Sequence, residues 1–281
     1  MNKIIRVFPR RTKMTPNDDL VYIGGPTLFL PDWRDIAEVH ISVTFTWHIE
    51  MAKRLLMEWC NYHPDVRIGG PDFADADGFT PGMYLKNGVT ITSRGCNNQC
   101  PPCLVWRREG PLTELPIKEG NIVQDNNLLQ CSRDHIDNVF NMLCKQNSIT
   151  LAGGLDPALI TDYIADRLRS LKINQIFLAA DYDEALKPLR KAVAKLKMPR
   201  DKLRCYVLLG YKESYDRGLA RLYEVWEAGC MPFAQLYQPP DEFIKYNATW
   251  RDLARQWSRP AIMKSIHKDY STPVVTNLEG K

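Results

Sequence analysis

Over residues 88–238 short runs of consecutive apolar, β-favouring residues alternate with longer stretches in which apolar residues recur at every third or fourth position. The first pattern is that of a strand covered on both faces and the second that of a helix with one buried stripe. Their alternation predicts repeated βα units around a parallel sheet. Six strands are expected, over residues 89–93, 121–124, 148–152, 175–180, 203–209 and 231–237. Among the intervening helices, residues 157–171 carry Leu159, Ile160, Tyr163, Ile164, Leu168 and Leu171 on one stripe, with Pro157 suited to a first turn.

Residues 1–87 repeat this mixture on a smaller scale and are expected to form a small N-terminal α/β domain. A strand is predicted over 39–45, a helix over 47–61 and a strand over 66–68 that ends in Gly69-Gly70-Pro71, a turn also present as Gly24-Gly25-Pro26. About 87 residues is short for an open doubly wound domain. The Asp-x-His-x-x-Gly element that supplies a cobalt ligand in cobalamin-binding domains is absent, so no cobalamin is expected. Residues 72–84, with their glycines, acids and Pro81, read as a linker. The second domain is expected over 88–240, and residues 241–281 as an amphipathic helix around Trp250 and Trp257 followed by a polar tail.

Composition narrows the class. With 281 residues, 44% hydrophobic and 25% charged, the chain is neither disordered nor fibrous. A formal net charge of +4 permits an anionic partner without demanding one. The apolar Ile4-Ile5 pair among Lys3, Arg6, Arg10 and Arg11 is too brief for the core of a secretion signal, and no run approaches the roughly 18 apolar residues of a membrane span. A cytoplasmic protein with no membrane partner is expected. The eight cysteines of such a chain stay reduced, so a tight group of them points to metal binding or catalysis before disulfides.

That group is Cys96-Asn-Asn-Gln-Cys100-Pro-Pro-Cys103, directly after the first predicted strand of the βα series. Three thiolates on one short loop suit iron or zinc. Structural zinc sites are closed by four protein ligands, and no further Cys or His follows before Cys131, which leaves an open coordination position. Pro101 and Pro102 stiffen the loop, and Gly95 permits a tight approach at its start. Cys60, Cys131, Cys144, Cys205 and Cys230 have no ligand spacing and read as unreactive thiols.

The CxxxCxxC loop after a barrel strand resembles the signature of the radical S-adenosylmethionine superfamily, over about half the chain. The resemblance implies a partial (β/α)6 barrel, a 4Fe-4S cluster on Cys96, Cys100 and Cys103, and S-adenosylmethionine on the fourth iron. It further implies a one-electron donor of the flavodoxin or ferredoxin type and a 5'-deoxyadenosyl radical that takes hydrogen from a substrate. Family members usually carry an aromatic residue before the third cysteine. Here Pro102 stands there, with Trp106 and Leu104 as candidates to pack the adenine.

In β/α barrels reactive groups sit where strands end. On the predicted strands this selects Asp125 and Asn126, Gly153, Asp181, Gly210 and Gln235 as cofactor-binding candidates, with Asp125 or Asn126 orienting the cofactor's amino group. Helix capping is the competing role for Asp125, Asp156 and Asp181. Arg94 is a candidate counter-charge to the cluster or to a substrate carboxylate. The substrate class stays open among nucleic acid, peptide and small metabolite. The rival reading from another class is a metal-stabilised nucleic-acid-binding module using Arg6, Arg10, Arg11 and Lys13.

Overall fold

The computed structural model describes residues 3–70, 83–240 and 242–267. Most of the expected linker and the end of the polar tail, residues 268–281, lie outside these. The N-terminal part is built on β1 (Lys3–Phe8), β2 (Val21–Ile23), β3 (Ile36–Ser42), α1 (Ile49–Cys60) and β4 (Val66–Gly69), with the strands all parallel in the order β2-β1-β3-β4. Ile5 and Val7 alternate inward along β1 and meet Val39 and Ile41 of β3 and Leu55 and Trp59 of α1 in one buried cluster. The sequence reading missed β1 because its apolar residues alternate with Lys3 and Arg6, yet this strand is central. It also ran β3 too far: regular strand ends at Ser42, and beyond it only the Val43 amide still donates across to Gly69 O (2.8 Å). The order carries the reversal of a doubly wound sheet, achieved in four strands and a single α-helix.

The larger part begins with β5 (Val89–Thr90), then β6 (Ser93–Arg94), α2 (Val105–Arg108), β7 (Thr113–Glu114) and β8 (Ile122–Val123). Regular units follow: α3 (Arg133–Cys144), β9 (Ile149–Leu155), α4 (Asp162–Ser170), β10 (Ile173–Ala179), α5 (Leu186–Leu196), β11 (Leu203–Leu209), α6 (Tyr215–Glu227), β12 (Met231–Leu236), α7 (Ala248–Ser258) and α8 (Pro260–Ile266). Six strands form one parallel sheet in the order β12-β11-β10-β9-β8-β5, following the chain with no reversal. Right-handed crossovers along such an order put every helix on the same side. Accordingly, alternate residues such as Ile176, Leu178, Cys205 and Val207 pack with Phe140, Ala165, Leu189, Leu222 and Trp257 of α3 to α7 in one core.

The chain is thus a mixed α/β structure with parallel sheets, as expected. The first predicted strand is split into β5 and β6, and only β5 joins the large sheet. The predicted helix over 157–171 begins as a 3-10 turn, Pro157–Leu159, and becomes α-helical only after Thr161, whose hydroxyl caps the Ile164 amide. The C-terminal helix is no separate element, because Leu253, Trp257 and Met263 belong to the core of the large sheet. On the other face, Phe177, Tyr206 and Phe233 form an aromatic cluster, with centroids 4.9 to 6.0 Å apart. The guanidinium of buried Arg204 lies over Phe177 and Phe233 at 5.7 and 5.1 Å, and the Tyr206 hydroxyl donates to the Ala152 carbonyl.

Candidate metal centre at the C-terminal edge of the large sheet

The cysteine loop leaves the sheet after β5 and is closed at its base by the antiparallel β6–β7 ribbon, in which Ser93 pairs with Glu114 and Arg94 with Thr113. Gly95 begins the loop at φ +77°, and a Cβ there would lie 2.2 Å from the Pro111 carbonyl oxygen, so only glycine fits this close approach. Within the loop the Cys96 amide donates to Gly110 O (3.2 Å) and the Cys103 amide to Cys100 O (3.0 Å). The Trp106 indole also donates to Cys100 O (3.1 Å). Trp106 is thereby committed to shaping the cysteine turn. Arg94 faces Glu109 at 3.7 Å, both side chains 18% exposed, so its charge is answered inside the loop.

The loop rests on the end of β8. Asp125, 3% exposed, accepts from the Thr92 amide (2.6 Å), the Thr92 hydroxyl (2.5 Å) and the Ser93 hydroxyl (2.9 Å). The sequence reading offered Asp125 as a cofactor contact. The structure turns its carboxylate inward instead, as the support of the chain that enters the cysteine loop. Asn126 Oδ1 accepts from the Gly95 amide (3.2 Å) and is likewise a loop contact. Gln130 accepts from the Asn97 amide and donates to Asn98 Oδ1, and Asn98 donates to Asp156 Oδ2. These amide contacts were not foreseen, although the run of amides inside the loop is the signal that calls for partners of this kind.

Gly153 packs so tightly on this support that a Cβ would lie 1.6 Å from the Asp125 carbonyl oxygen. The crevice lined by Val123, Asp125, Leu128, Gly153 and Gly154 measures about 10 Å³, room for no more than a water. Gly153 is therefore a packing position beneath the loop.

The end of β10 completes the centre. Burial pushes the Asp181 carboxyl up to about 6, against the opposing pull of the Leu208 amide that it accepts from (3.0 Å) and of Arg221. The Tyr182 hydroxyl is half-buried beside the Cys100 side chain; burial first, then this neighbour, raises its pKa well above the ordinary phenol value. Burial also raises the Cys103 thiol, and the neighbouring Cys100, Cys96 and Asp181 raise it further, so all four groups share one electrostatic environment. The thiols are not gathered into a closed ligand set: among the described residues no three His, Cys, Asp or Glu side chains form a metal-binding group.

Two candidates stand apart. The Gly210 amide donates to Glu213 Oε1 (3.1 Å), and the residue lies against Tyr246, whose hydroxyl donates to Tyr237 O. Glu213 is held in turn by Arg221, 5% exposed, at 2.7 Å. Gln235 is exposed on β12 and makes no side-chain hydrogen bond among the described residues. The structure thus draws the three cysteines, Asp125, Asn126, Gly153 and Asp181 around one loop, and leaves Gly210 and Gln235 at the far strands.

No helix among the described residues is long and apolar enough to cross a membrane. No protein-family model matches the chain, and no curated protein matches it either.

Proposed function

We propose that the chain is a radical S-adenosylmethionine enzyme whose 4Fe-4S cluster is held by Cys96, Cys100 and Cys103. The observation that carries this reading is a three-thiol loop at the C-terminal edge of a parallel sheet whose six strands follow in chain order. Such an order is that of a β/α barrel opened along one side, and in barrels reactive groups gather at this edge. The donor chemistry is that of a cluster in kind: three soft thiols on one short loop, Cys96, Cys100 and Cys103, with no further Cys or His in sequence before Cys131. A cluster gives each thiolate its own iron and so accepts sulfurs spaced more widely than one tetrahedral ion does.

When bound, cluster and cofactor supply one-electron cleavage to methionine and a 5'-deoxyadenosyl radical that takes a hydrogen atom from the substrate. The chain's own residues preorganise the ligands and set their surroundings. Asp125 and Asn126 fix the strand that enters the loop, and the Gln130–Asn98–Asp156 chain of hydrogen bonds ties its far side to the loop after β9. The Tyr182 hydroxyl lies beside the Cys100 side chain. Phe177, Tyr206 and Phe233 pack against one another on the face of the sheet opposite the helices.

Anaerobic reconstitution is expected to give about four irons and four sulfides per chain and, after dithionite reduction, 5'-deoxyadenosine from S-adenosylmethionine. Cys96→Ala, Cys100→Ala and Cys103→Ala each abolish both, whereas replacing the exposed Cys144 leaves both intact. Stoichiometric zinc in place of iron, or a loaded and reducible cluster that yields no 5'-deoxyadenosine, refutes the reading.

A further inference from the structure

A second surface lies at the C-terminal edge of the small sheet and belongs to no part of the cysteine centre. The order β2-β1-β3-β4 reverses between β1 and β3, which are direct neighbours with Val7 opposite Ile41. At such a reversal the loops leaving the two strands diverge, and the crevice between them is where parallel sheets take ligands. One of these loops opens Pro9-Arg10-Arg11-Thr12-Lys13, and the other runs Val43-Thr44-Phe45-Thr46-Trp47-His48.

Phe45 and Trp47 stack on each other, with centroids 4.7 Å apart and planes within 8°, and His48 stands edge-on to both. Rings of this size are ordinarily buried. Here Trp47 is 55% exposed and Phe45 36%. Arg10, Arg11 and Lys13 are exposed as well, and Arg10 lies close enough to His48 for its charge, after burial, to lower the imidazole's proton affinity. Arg6 is committed to Asp18, and Arg11 donates to Asn17, but among the described residues Arg10 and Lys13 have no ion-pair partner. An open aromatic stack thus sits beside positive charge that no acid among the described residues pairs.

We propose that this edge binds single-stranded nucleic acid, with a base extending the Phe45–Trp47 stack and phosphates meeting Arg10, Arg11 and Lys13. Every base offers a flat face to an aromatic ring, and a ring already stacked from behind needs no further ordering. Guanidinium groups match phosphate oxygens in pairs. A duplex hides its base faces, and an acidic peptide answers the charge but leaves the stack unused. The inference is independent of the radical reading, since no cysteine takes part.

The test is fluorescence anisotropy of the full chain with a labelled single strand of about twelve nucleotides, in deoxyribose and ribose forms, against the same sequence as duplex. Single strands are expected to bind and the duplex to bind more weakly. Trp47→Ala should weaken single-strand binding by on the order of tenfold. Arg10→Ala should reduce the slope of log affinity against log salt by about 0.7, the share of one phosphate contact on a single strand. Met57→Ala, an exposed apolar change on α1, should alter neither. No binding, equal binding of duplex, or unchanged affinity in Trp47→Ala overturns the proposal. Circular dichroism of each variant separates loss of the surface from loss of the fold.

Discussion

Three hydrogen bonds converge on the carboxylate of Asp125, and all three come from Thr92 and Ser93, the residues that lead into the cysteine loop. A buried group so engaged cannot be removed without stranding its donors. Asp125→Ala is therefore expected to lower the unfolding free energy by about 3 kcal/mol and to reduce iron uptake along with it, read by urea titration and metal analysis. Full iron content in that variant, with only cofactor affinity reduced, would restore Asp125 to direct cofactor contact. Tyr182→Phe removes a hydroxyl beside the Cys100 side chain without touching a ligand, and donors near cluster sulfurs raise the reduction potential. The expected outcome is unchanged iron content with a more negative midpoint in a spectroelectrochemical titration; an unmoved midpoint removes Tyr182 from the cluster's surroundings. At this scale the sequence discloses the thiols, whose spacing is local. Their supports stay hidden, because Asp125 lies 33 positions from Thr92 and Tyr182 lies farther still from Cys100.

Elements were legible in proportion to their length and burial. The strand over 203–209 is found as predicted, since its apolar run is broken only by Arg204, and β10 and β12 differ from expectation by one or two residues at their ends. The short elements were found in place but shorter than expected. β5 and β8 have two residues each and draw their stability from neighbours rather than from pattern, and β6 turns out to pair antiparallel outside the sheet because Asp125 and Asn126 bend the chain there. The extension of β9 through Gly153 and Gly154 also ran against propensity, and its reason is steric: glycine lets β9 press against the backbone of the Asp125 turn. Gly153→Ala is accordingly expected to cost about 1–3 kcal/mol or more through overpacking. Gly24→Ala, where the added carbon meets no atom within 4 Å, should cost only the strain of its positive φ, about 1 kcal/mol. Equal midpoints for the two in denaturant would show that the strand has room after all.

For the molecule as a whole, buried charge ties stability to pH. Asp181 keeps some exposure, yet the protein packed around it raises its carboxyl from 3.8 to about 6 in the folded state, so the folded chain holds a proton that the unfolded chain has released. Its contribution is complete below about pH 4 and is lost as pH climbs through about 6, a difference of about 3 kcal/mol. In metal-free protein Asp181→Asn, which cannot ionise, should gain that much on the parent between those limits in urea unfolding, and a difference constant with pH would contradict the buried acid. The sheet order has a consequence of another kind. Each strand of the large sheet pairs with the next one in it, and the thiol loop follows the first of them, a strand of two residues. Translation at about 5–20 residues per second takes roughly 10 s to proceed from Cys103 to the end of β12 at Leu236. During that interval the three thiols have left the ribosome before most of the scaffold that orients them exists. On the proposed reading, a cluster is thus best supplied after synthesis, by a carrier that meets a finished fold.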